Sequence, residues 1–139
     1  MTFEGNGGGE SVPARPVVPH YHGGEVRAIF VISAVILVVA QSTGANLPLS
    51  TFSTVASAVA LVVAAGITNP AQFWIHWMNA LLAMSGTLLF GTAAVENYRL
   101  GVTIFDLSFI YVEALAIFSL IALYFTTRTI RGIRQRSRR

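Results

Sequence analysis

The stretch Ile104–Phe125, "IFDLSFIYVEALAIFSLIALYF", is apolar almost throughout, yet it carries Asp106 near its start and Glu113 near its middle. Its length decides the fold. A hydrocarbon core about 30 Å thick is crossed by roughly 20 helical residues at about 1.5 Å each, and this stretch is long enough. A helix on the surface of a soluble bundle would need a polar outer face, which these residues lack. Thr103 and Asp106 stand at capping-box spacing and predict a helix start near Ile104.

Working back along the chain, three more segments read the same way. Residues 28–47, "AIFVISAVILVVAQSTGANL", open apolar and turn polar in the last turns. Residues 49–67 carry no charge; the hydroxyls of Ser50, Thr51, Ser53, Thr54 and Ser57 in their first half are tolerable in lipid because each can bond back to a carbonyl of the preceding turn. Residues 70–95 begin after Asn69, a capping residue, with Pro70 suited to a first helical turn. Gly66 ends the preceding segment, so a tight turn joins the second and third segments as an antiparallel pair. Composition agrees: 11% of residues are charged, against roughly 25% in a soluble domain. The expected fold is an all-α integral membrane protein of four transmembrane helices in two antiparallel hairpins. The bundle occupies 26–127, preceded by a flexible Gly/Pro-rich N-terminal arm (1–25) and followed by a basic tail (128–139).

The residues ahead of the first segment include Glu4, Glu10 and Glu25, more acidic than a cleaved leader would be, so that segment reads as a retained helix. Arginine sets the orientation. Arg128, Arg131, Arg134, Arg136, Arg138 and Arg139 share a side with Arg15 and Arg27 when the number of crossings is even, whereas Arg99 stands alone opposite. Both termini are therefore expected in the cytoplasm, with the chain in an inner or plasma membrane. The six C-terminal arginines are expected to touch anionic lipid; without interleaved aromatics they do not suggest nucleic acid.

The chain has no cysteine and no lysine, which removes thiol and Schiff-base chemistry. His20, His22 and Glu25 form a weak metal pattern, short of the three or four ligands on a stiff frame that a site requires. His76 is the single histidine within a span, so a haem held by two histidines would need another chain, and no cofactor is expected. One histidine with one distant glutamate is too thin a constellation for an enzyme.

Glu113 is the candidate that remains. A helix starting at Ile104 places it about 13 Å deep, where an exposed charge costs at least ~2.5–3.5 kcal/mol. It must be neutral, paired, or turned toward the bundle interior or water. Depth counting puts Ser57, Ser85 and Thr87 at its level, and Asp106 two turns earlier on the same face, as an ion or proton route. His76, Asn79, Ala83 and Gly91 fall on one small and polar face of the third segment, matched by Ala56, Ala60 and Ala64 on the second. The stretch Ser50–Thr54, "STFST", resembles the Thr-Phe-Ser-Thr stretch of small fluoride channels over those five residues, but it opens the second segment instead of the third, and the other motifs of that family have no counterpart here.

Two functions fit. The first is an accessory or scaffolding subunit of a membrane complex, in which Glu113 pairs with a neighbour. The second is a small oligomeric transporter or channel in which Glu113 carries a proton or cation. Four helices with short loops leave little room for a cavity, and no midspan Pro or Gly visibly breaks a helix, which favours the subunit.

Overall fold

The computed structural model describes residues 21–68 and 71–138. Asn69, Pro70, His20, Arg139 and most of the expected N-terminal arm lie outside the described residues. Four helices make up the fold, α1 (Gly23–Ser42), α2 (Thr51–Ile67), α3 (Phe73–Arg99) and α4 (Leu107–Ser137), with no strand among the described residues. By length and composition α1, α3 and α4 can each cross a membrane, whereas α2, at 17 residues, is a shorter apolar helix.

The helix ends differ from expectation for local reasons. α1 stops at Ser42, short of Leu47. Gly44 sits at φ 71°, the amide of Ala45 reaches back to the Ala40 carbonyl and that of Gly44 to Gln41, which is the Schellman ending that a left-handed glycine permits. α3 runs past Val95 to Arg99 and closes in the same way around Gly101, φ 69°, with Val102 N–H on the Asn97 carbonyl. Its first residue is Phe73 instead of Pro70, after Gln72 in an extended conformation without a side-chain cap. α2 is capped by Ser50, whose side chain accepts from Ser53 N–H; within "STFST" this serine serves as a helix cap. α4 begins three residues later than expected, because Asp106 is itself the cap and accepts from Ser108 N–H at 2.7 Å. At its other end α4 does not stop at Phe125. It continues through the arginines to Ser137, so the expected tail is mostly helix.

Packing pairs α1 with α2, α3 with α4, and α1 with α4, while α2 and α3 touch only sparingly. This corrects the expected α2–α3 seam. α2 turns Thr54, Ala58, Ala64 and Ala65 inward, so that of the three alanines expected at the seam Ala64 is buried while Ala56 and Ala60 are exposed. The ends of the bundle are tied by Asn46 N–H to Ser108 Oγ at one side and His22 N–H to Thr129 Oγ1 at the other, which makes α1 and α4 antiparallel. Two apolar clusters lie between the helices, one around Phe30, Ala65, Ala83 and Ala122, the other around Leu37, Ala58, Phe90 and Leu115. Outside, Val31, Val35, Val38, Val55, Val59 and Val62 are exposed. A continuous aliphatic exterior over a core of small residues is the inverse of a soluble protein and suits lipid.

α3 lies close against α4 at Gly86, where an added Cβ would stand 2.5 Å from Ser119 Oγ. At Gly91, on the same helix, an added Cβ meets nothing within 4 Å. Both alanine substitutions gain the same helix propensity, so their difference isolates the contact. Gly86→Ala is expected to be less stable than Gly91→Ala by about 1–3 kcal/mol, the usual cost of overpacking, measured by thermal or denaturant unfolding in detergent.

Candidate functional site

Hydroxyls in an apolar helix have a local solution, and most of those here take it. Thr87 Oγ1 donates to the Ala83 carbonyl, Thr126 to Ala122, Thr129 to Phe125, Thr92 to Leu88 and Ser85 to Leu81. Glutamate has no comparable local recourse. Glu113 is partly buried, and among the described residues it makes no hydrogen bond or ion pair. At about 100° per residue it lies some 160° around α4 from the buried Leu115 and Ala122, so it faces away from the core.

There Glu113 occupies an outward groove between α3 and α4, lined by Thr87, Gly91, Ala94, Tyr98 and Ala116. With α4 starting at Leu107, Glu113 is six residues, about 9 Å, from the helix start instead of 13 Å. Of the residues expected to share its site, only Thr87 does, and its hydroxyl is committed to Ala83. Asp106 is exposed and occupied as the α4 cap. Ser57 and Ser85 line a separate central cavity of about 160 Å³. The proposed continuous route is thus divided into two sites. The expectation that short loops leave little room inside is corrected by the same cavity, which is lined from all four helices where α2 and α3 touch only sparingly.

A second polar group lies where α1 begins, α2 ends and α3 begins. His76 and Asn79 are buried on α3. Asn79 Nδ2 donates to Thr68 Oγ1 at 3.1 Å, and that hydroxyl donates to the Ala64 carbonyl at 2.7 Å. Among the described residues Asn79 Oδ1 and His76 Nε2 have no partner. Tyr21 packs edge-on against the His76 ring; burial raises its phenol above the usual value, partly opposed by Arg27. His22 stacks at a tilt on Phe125, with its Nδ1 3.6 Å from Glu25 Oε1. Among the described residues no three His, Cys, Asp or Glu side chains come together, so His22 and Glu25 form a helix-start pair without a third ligand.

The arginines continue along α4. Arg131, Arg134 and Arg138 are exposed within about 60° of one another, Arg136 points elsewhere, and Arg128 reaches the Tyr124 hydroxyl at 3.4 Å. Ser33, Ser119, Thr68 and Tyr21 were not singled out by sequence reading. The signal for the first two was present: each is a lone hydroxyl in the middle of an otherwise apolar segment.

Comparison with family models, with curated proteins and with solved structures finds no match.

Thr68 holds Asn79, and removing it leaves a buried amide with neither end paired. Thr68→Val is expected to destabilise the fold by about 1 kcal/mol. Adding Asn79→Leu should recover most of that loss, because the double variant removes both partners; unfolding in detergent measures both.

Proposed function

We propose that this chain is an integral membrane subunit that docks a neighbouring membrane protein along the α3–α4 groove containing Glu113. One observation carries the reading: an acidic side chain without a partner among the described residues sits on the outward side of α4, in a groove whose lining includes Gly91, Ala94 and Ala116 beside larger side chains such as Tyr98, Phe109 and Leu120. Small walls let another helix approach closely, and in lipid such approach together with an interhelical hydrogen bond is what drives association. The partner is a transmembrane helix presenting an arginine or a hydroxyl at the depth of Glu113. Among the described residues the arginines stand in the first turns of α1, at the end of α3 and in the last third of α4, away from the level of Glu113 six residues into α4, so a different chain is favoured over a homo-oligomer as the source of a basic group.

The membrane arrangement belongs to the same proposal. α2 is read as a fourth crossing, supported by its ties at both ends: Thr51 Oγ1 accepts from Gln41 near the end of α1, and Thr68 meets Asn79 near the start of α3. Four crossings bring both termini to one side. Arg27 and the arginines of α4 then mark that side as cytoplasmic, with the exposed face of Arg131, Arg134 and Arg138 against anionic lipid.

The test is a tagged chain purified from its native membrane in mild detergent, compared with Glu113→Leu, Ala116→Phe and the remote control Val38→Phe. A stoichiometric complex that survives size exclusion in the wild type and in Val38→Phe, and is lost in Glu113→Leu and Ala116→Phe, is the expected outcome. Loss of affinity on removing Glu113 should be at least about tenfold if the carboxylate pairs with an arginine. Proton or cation flux by the purified chain alone in liposomes, stopped by Glu113→Gln, would overturn docking in favour of transport.

A further inference from the structure

We propose that the central cavity is a binding site for a lipid-soluble ring of about benzene size bearing a hydroxyl or carbonyl group, as in a phenol or a quinone head. All four helices build it, and each contributes one serine: Ser33 from α1, Ser57 from α2, Ser85 from α3 and Ser119 from α4. Three phenylalanines, Phe30, Phe90 and Phe118, complete the part of the wall that matters for recognition. The site is separate from the Glu113 groove, and none of its residues lines both.

Size comes first. The cavity holds about 160 Å³, and an apolar protein cavity of roughly 150 Å³ is known to admit benzene. A dry apolar ligand would leave the serines unexplained. Ser33 is only 5% exposed and, unlike Thr87, Thr126 and Thr129, does not bond back to its own helix. Ser57 and Ser119 also make no hydrogen bond among the described residues. In a bilayer, unpaired hydroxyls turned into a cavity are donors and acceptors awaiting a partner, and a compact polar substituent supplies one. Phe30 and Phe90 are 2% and 6% exposed, so rings held by the core present faces and edges suited to another ring.

Access comes from the side. α2 and α3 touch only sparingly, and Ala60 and Ser85, which flank the gap between them, are exposed. A molecule dissolved in the membrane reaches the serines through this gap without crossing a polar surface, and an apolar tail can stay behind among the lipid chains.

The test uses two probes differing by one hydroxyl, 4-fluorophenol and fluorobenzene, followed by fluorine NMR on the full chain in nanodiscs, with partitioning into protein-free nanodiscs subtracted. Saturable binding of one 4-fluorophenol per chain is expected, about fivefold tighter than fluorobenzene, the worth of one hydrogen bond. The double variant Ser33→Ala with Ser119→Ala should keep both probes bound and erase the preference. Ser57→Leu should abolish binding of both with helix content unchanged; if that variant does not fold, Ala60→Leu at the mouth replaces it. Equal affinities in the native chain would show a dry apolar cavity, saturable binding that survives Ser57→Leu or its replacement would place the ring elsewhere, and no saturable binding would show a cavity filled by water alone. Each of these overturns the proposal.

Discussion

Backbone and hydroxyl groups in hydrocarbon have no water to turn to, and this constraint organises everything else in the molecule. Helices satisfy the backbone internally. The Ser50, Asp106, Gly44 and Gly101 endings address the groups that helices leave over, and the threonines of α3 and α4 fold their hydroxyls back onto the preceding turn. Because most polar groups are dealt with so locally, those that are not stand out with unusual clarity among the described residues: Glu113 on the outside, Ser33, Ser57 and Ser119 within, and His76 with Asn79 where α3 begins.

These exceptions fall in places where the helices fail to close on one another. α3 and α4 meet intimately at Gly86 but leave a groove one turn further on, where Gly91 and Ala94 are too small to fill the space in front of Glu113. α1 and α2 pack closely, whereas α2 and α3 touch only sparingly, and the cavity lies among them. Small residues thus have two opposite effects in one bundle. They bring backbones together where the facing side chain is short, and they leave room where nothing faces them.

Much of the fold could be read from the chain, since charge confined to a few places and runs of apolar residues are one-dimensional properties. The order of the four helices follows from them directly. What failed were quantities that depend on a neighbour. Leu47 looked like the end of α1 because hydropathy fades slowly there, whereas the left-handed Gly44 backbone ends the helix at Ser42. Ala56, Ala60 and Ala64 at regular intervals suggest an α2–α3 seam, but Thr54 and Ala58 stand at the same four-residue step, and packing buries these two with Ala64 and Ala65 while leaving Ala56 and Ala60 outside. For Glu113, depth was nearly legible and azimuth was not. Depth counting put Ser57 and Ser85 beside it, yet a helix has as many directions as residues per turn, and those serines face the other way.

The length of α4 has a mechanical side. Its 31 residues extend about 46 Å as one rod, which exceeds the hydrocarbon thickness by roughly 16 Å. Glu113 and Arg131, Arg134 and Arg138 are mounted on that same rod. Any twist of the helix that re-aims the acid near its start must turn the arginines near its end through the same angle, so the two ends of this chain's chemistry turn on one axle.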